Sequence, residues 1–167
     1  MTSYNSLVNS IQNKIKEAFI EDGFETTILE REPKGTDYEK MVSPMDPDFE
    51  DSDKIKIPAL FLYYNGHNSD VDDLSGNIKN TEVAIGFDLY GFSRANNIDI
   101  VQKLEEIILN SDIRIFNPDS SVDENYNCRQ VGPFDCMPVI DEQLIKFNRE
   151  DIVEFSGTFN VSLINSK

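Results

Sequence analysis

Tryptophan is missing from this 167-residue chain, histidine occurs once and cysteine twice. A structural zinc site needs four soft ligands, and His67, Cys128 and Cys136 supply three. A catalytic thiol needs a base to make the thiolate, and neither cysteine has a histidine near it in sequence. A disulfide between them is disfavoured, because nothing in the first 20 residues resembles the apolar core of a secretory signal. The longest apolar run, Pro58 to Tyr64, is far too short to span a bilayer. These gaps lead us to expect a cytosolic product with reduced thiols, no membrane contact and no cofactor. Internal repeats and low-complexity tracts are also lacking.

Basic residues are scarce: 15 Lys and Arg stand against 31 Asp and Glu, a net charge of −16. Such a chain repels phosphate backbones, which argues against specific nucleic-acid binding. The same charge confers solubility, and it would let DNA slide past a surface without sticking. Apolar residues make up 39% of the chain, low for a globular protein but too high for global disorder. A domain near this length hides roughly 68–70% of its unfolded surface, so one self-sufficient domain over residues 1–167 is expected.

The clearest pattern runs from Thr81 to Asn110. Val83, Ile85, Phe87 and Leu89 alternate with smaller or polar residues, as in a strand with one buried face. The following helix is apolar at Ile100, Val101, Leu104, Ile107 and Ile108, with Ser93, Asn96 or Asn97 as its cap. Another helix is expected over residues 3–22, where Tyr4, Leu7, Val8, Ile11, Ile15, Ala18 and Phe19 share a face and Gly23 closes the end. Strands are expected at Phe24–Arg31, at Lys54–Asn65 with a change of phase near Pro58, and at Asp112–Phe116. The strand at 81–92 should pair antiparallel with 55–64. Asn65-Gly66 and Gly76-Asn77 read as turns bounding an exposed tip of about fifteen residues. Residues 117–127 read as a loop, and Cys128–Asp141 is ambiguous. Gln143–Phe147 and Ile152–Ile164 read as a closing hairpin in which Val153, Phe155, Gly157, Phe159, Val161 and Leu163 share one face. The order of elements predicts an α+β fold: an antiparallel or mixed β-sheet with two main helices packed on one face.

Residues 32–53 change character. This 22-residue stretch holds three prolines, a glycine, and eight acids against two lysines. It reads as a long acidic loop, mobile in an isolated subunit, with Met41 and Val42 packing back on the body. Unbroken loops beyond about 12–15 residues usually bind something or are disordered. The run Asp46, Asp48, Glu50, Asp51, Asp53 invites a calcium reading. A helix–loop–helix calcium site needs Gly at loop position six and Glu at twelve. Counted from Asp46 those positions hold Asp51 and Ile57; counted from Asn68 they hold Asp73 and Lys79. Both registers fail. The acids of this loop, with Asp70, Asp72 and Asp73 of the second connection, are therefore candidate interaction residues and not metal ligands.

Other chemistry is weakly signalled. His67 beside Gly66 reads as an exposed turn residue. Gly86 and Gly91 lie inside a strand and lack the Lys-Ser/Thr of a phosphate loop, so they, with Gly157, are expected to relieve crowding. Tyr63, Tyr64 and Tyr90 are expected in the sheet, since the acidic field opposes base stacking.

The order of elements resembles a known family. An amphipathic helix comes first, and a strand entered through a proline, Pro58-Ala-Leu-Phe-Leu-Tyr-Tyr, follows. Then Val83-Ala-Ile-Gly-Phe-Asp-Leu-Tyr-Gly-Phe-Ser93 leads through a few polar residues into Ile-Val-Gln-Lys-Leu-Glu-Glu-Ile-Ile-Leu, and a β-rich tail closes the chain. This is similar to the tail terminator and tail completion proteins of tailed bacteriophages, subunits of the head–tail neck. The resemblance covers most of 3–22 and 55–116 and, more loosely, the final strands; the acidic insert at 32–53 departs from it. It implies a virion structural protein without enzymatic activity, assembled in the host cytoplasm. It also implies a ring, commonly a hexamer, that caps the tail tube and meets the head connector. Two other classes compete. A small acidic inhibitor or immunity protein would neutralise a basic partner, and an enzyme of unrecognised type would depend on His67.

Overall fold

The computed structural model describes residues 4–72, 77–110, 113–115 and 126–165. In chain order the elements are α1 (Tyr4–Glu21), β1 (Thr27–Leu29), a 3-10 helix (Gly35–Lys40), β2 (Met41–Val42), β3 (Ile55–Lys56), β4 (Ala59–Asp72) and β5 (Asn77–Gly91). α2 (Arg94–Asn110), β6 (Ile113–Ile115), β7 (Tyr126–Val139), α3 (Glu142–Lys146) and β8 (Val153–Asn165) follow. Six strands form one sheet in the order β1-β4-β5-β8-β7-β6, and β2 with β3 forms a separate parallel pair. The sheet is mixed, because β1 runs parallel to β4 while the other neighbours are antiparallel.

The fold is the α+β arrangement that the order of elements predicts. Leu7, Ile11, Ile15 and Phe19 of α1 and Ile100, Leu104 and Ile108 of α2 are buried against one sheet face. That face carries Leu60, Leu62, Val83, Ile85, Phe87, Leu89, Phe155, Phe159 and Val161. α1 lies near β4 and β6, α2 near β5, β7 and β8, so the sheet curls around the helix pair. α2 starts as expected: the Ser93 hydroxyl accepts from the Asn96 backbone N–H at 3.1 Å. Ser93→Ala should therefore cost about 1 kcal/mol, read in a denaturant titration.

Several local readings are corrected. Only Thr27–Leu29 of the Phe24–Arg31 stretch is strand, because Arg31 turns away to clamp Asp37 with bonds of 2.7 and 3.0 Å. The Asn65-Gly66 dipeptide does not turn the chain. β4 continues to Asp72, and the ladder shifts register between Tyr64 and His67. Gly66, at φ +110, adopts the backbone that a bulge needs at its extra residue. The hairpin thus extends well past the expected strands, and its tip at 73–76 lies outside the described residues, as do Asn117-Pro118 and most of the 117–127 loop. Cys128–Asp141 is largely strand, with a shift between Val131 and Asp135 that accommodates Gly132-Pro133.

Gln143–Phe147 is not a strand. Asp141 Oδ1 accepts from the Gln143 N–H at 2.8 Å, Glu142 and Lys146 sit at the ends that the helix dipole favours, and Asn148 at φ 56 ends the turn. The strand that precedes β8 in the ladder is β7 instead.

The 32–53 stretch is not one open loop either. Tyr38, Met41 and Val42 are buried, the packing-back expected of Met41 and Val42. Tyr38 and Met41 join Ile57, Ala59, Tyr90, Leu144 and Ile152 in a second apolar cluster on the opposite sheet face. Arg149 ties this cover down by donating to the Tyr38 and Glu39 carbonyls at 3.0 and 3.3 Å while pairing with Asp151 at 2.9 Å.

Candidate functional site: an acid-rimmed groove

What remains of the acidic segment is an excursion from Ser43 to Lys54 with pinned ends. Met41 and Val42 pair with Ile55 and Lys56, and the Ile57 N–H donates to the Val42 carbonyl at 2.9 Å. Between them the chain makes consecutive turns, Asp46 to Ser43, Phe49 to Asp46, Asp51 to Asp48 and Lys54 to Asp51. Pro44, Pro47 and the short acids favour such turns, and Asp46 Oδ1 adds an Asx bond from the Asp48 N–H at 2.9 Å. Asp48, Glu50, Asp51 and Asp53 are exposed and Asp46 is half-buried. Lys56 lies over the Phe49 ring at 4.9 Å and 3.9 Å from Glu50. The structure therefore gathers five of the candidate interaction residues on one short loop. Asp70 and Asp72 lie on the β4 backbone, but their side chains, and all of Asp73, fall outside the described residues. Among the described residues no group of three or more His, Cys, Asp or Glu could hold a metal ion.

This loop walls a groove. Pro44 and Phe49 line one cleft with Thr26, Lys56 and Pro58. Pro44, Thr26 and Pro58 also line a second cleft of about 290 Å³, with Phe24, Phe92, Asn96 and Ile100. A third shares Phe24 and Asn96 and runs on along α2 past Asp99, Gln102 and Lys103 to Glu106. The shared walls make them one groove along the end of the sheet where β4 begins and β5 ends. Its middle sets Phe24, Pro44, Pro58, Phe92 and Ile100 beside Glu25, Thr26 and Asn96, and Phe92 is 40% exposed there. Two buried side-chain atoms of its lining, Thr26 Oγ1 and Asn96 Nδ2, lack a hydrogen-bond partner among the described residues. No sequence motif marks this groove, because its walls come from five separate segments.

A second constellation, also invisible to sequence reasoning, lies on the outer sheet face. Cross-strand register aligns Ala59, Tyr90 and Glu154, and then Phe61, Asp88 and Ser156. Glu154 is only 6% exposed under the 3-10 helix and α3. Burial first, then the neighbouring Asp141, push its carboxyl up to about 8, against an opposing hydrogen bond from Tyr90. Tyr90 in turn bonds Tyr38, whose hydroxyl burial pushes up to about 12. Asp88 is likewise raised, by burial, although Ser156 donates to it at 2.6 Å.

His67 and the cysteines do not join these acids. His67 sits on the helix side at the β4 margin, its ring 4.5 Å from that of Tyr4 and its Nδ1 bonded to the Tyr64 hydroxyl. It is exposed as expected, but in a strand. Cys128 is buried in the helix-side core, and Cys136, half-buried there too, has its thiol raised to about 11 by burial. Neither cysteine forms a disulfide. Cys128 and Cys136 thus lie on the helix side of the sheet, and Glu154 and Asp88 on the outer face. No helix is long and apolar enough to cross a membrane among the described residues. No protein-family model matches the chain, and no curated protein matches it in sequence.

Proposed function

We propose that this chain is a structural subunit of a tailed-phage virion, a tail terminator or neck protein. It forms a ring at the head–tail junction, caps the tail tube, meets the head connector and lets DNA pass. The observation that carries this reading is the β4–β5 arm. β5 leaves β8 at Thr81 yet keeps pairing with β4 out to Asn77 and Asp72. On its outer side, among the described residues, β4 is paired only from Ala59 to Phe61, by β1. A two-stranded ribbon is marginal in water by itself, and an unpaired margin is a template for a neighbouring chain. Nearer the body the same margin is shielded. Gln12 donates to the Leu62 carbonyl at 3.5 Å, and Tyr4 stacks on Tyr64 with centroids 5.1 Å apart. Self-pairing is thereby steered to the arm, as a specific subunit contact requires. The charge of −16 suits a lumen through which DNA moves by repulsion.

Light scattering on concentrated protein tests this against the acidic-inhibitor reading. A ring, with a mass several times that of the 19.1 kDa protomer and larger than a dimer, is expected. A species that remains a monomer or dimer favours the inhibitor.

A further inference from the structure

We propose that the groove between the acidic loop and α2 is a docking site for an extended protein segment, apolar at its centre and flanked by lysine or arginine. Three observations point to that occupant. Phe24, Phe92 and the two prolines offer a narrow apolar floor, suited to a side chain of Leu, Val or Pro size. Thr26 Oγ1 and Asn96 Nδ2 have no hydrogen-bond partner among the described residues. An extended backbone presents both a donor and an acceptor, and small side-chain rotations would bring these atoms onto it and relieve the cost of unpaired polar groups.

The third observation is charge. The cations at the groove are already used: Lys103 pairs with Asp22 and lies 4.0 Å from Glu106, and Lys56 pairs with Glu50. Of the acids that line the groove, Glu25 and Asp99 make no ion pair among the described residues. A phosphate backbone would be repelled, and a second copy of so acidic a chain is a poor match, whereas a basic-flanked segment is drawn in. This inference stands apart from ring formation, because a protomer that never closes a ring would still bind the segment.

A random library of ten-residue peptides displayed on yeast, sorted against the full-length protein, tests it. Enriched peptides should share an apolar centre with Lys or Arg on either side. Synthetic versions should bind roughly tenfold more weakly to Phe92→Asp, the loss of one anchor. They should also weaken severalfold as salt rises past the level at which the Debye length falls below about 10 Å. Phe92 is partly exposed, so the variant should fold; equal thermal melts verify this, and Asp99→Lys provides a second variant with weakened binding. No enrichment, enrichment without basic flanks, equal binding to Phe92→Asp, or peptide binding that is lost when the protein self-associates would each overturn the proposal. The last result would instead assign the groove to a second copy.

Discussion

Glu154→Gln should make the protein markedly more stable than the parent at pH 9 and leave it little changed at pH 4. In the folded chain the Glu154 carboxyl is held protonated up to about 8, against an ordinary value of 4.5. Between these two pH values the unfolded chain releases a proton that the folded chain retains. The stability of the parent therefore falls as pH rises from 4.5 to 8 and levels off above. The full loss is on the order of 4 kcal/mol. Glutamine keeps an acceptor for the Tyr90 hydroxyl and a donor for Asp141, and it carries no charge to bury. Denaturant titrations of both proteins across pH 4–9 check this, and a parent whose stability does not fall over that range would contradict the burial of Glu154. Asp37 acts at the other end of the scale. The Arg31 bond and then the Lys34 N–H hold its carboxyl below the usual range. Its contribution is present above the ordinary carboxylate pKa and is lost as pH falls through the depressed one. Stability should accordingly peak on the acid side of neutrality.

The second large effect lies in the helix-side core. Phe87→Ala should destabilise the fold by about 4 kcal/mol. The Phe87 ring is fully buried, 5.5 Å from the Phe134 ring and 6.3 Å from Phe159, and Phe134 stacks on Phe159 at 5.5 Å. Gly157 opposite it on β8 leaves the room the ring occupies, since a Cβ there would run into the ring edge and the Asp135 carbonyl. Two coupled results follow. Gly157→Ala should be destabilising in the parent, and its cost should shrink in the Phe87→Ala background, where the ring is gone. The recovery is partial, because the Asp135 carbonyl remains. A double-mutant cycle by chemical denaturation measures the coupling, and additive costs would contradict the proposed contact.

How much of this was legible beforehand follows from how local each cause is. The stripes of α1 and α2 and the alternation of β5 and β8 depend on spacing within one segment, so periodicity finds them. Leu144, Ile145 and Phe147 also fit a strand pattern. They form a helix because Asp141 caps it and Arg149 anchors the following turn to carbonyls more than a hundred residues earlier in the chain. The burial of Tyr38 and Met41 inside an apparently polar loop has the same distant cause. Asn65-Gly66 carries turn chemistry, but the strand alternation on either side of it prevailed and the dipeptide became a bulge. The acids from Asp46 to Asp53 were legible as one acidic run on a connecting loop. The groove beside them was not, because Phe24, Pro44, Pro58, Phe92 and Asn96 meet only once the sheet and both helices are in place. Glu154 carried no local mark either, since nothing in sequence shows that the polar face of β8 is roofed at that end.

The proposal of an assembly subunit rests on a margin of the sheet that is open to a neighbouring copy. Native mass spectrometry of the protein at rising concentration tests this most directly. The expected result is a single closed stoichiometry, six for a hexamer, that stops growing as concentration rises, because a closed ring has no free ends. Protomers of 19.1 kDa at every concentration, or an open ladder of sizes with none preferred, would contradict it.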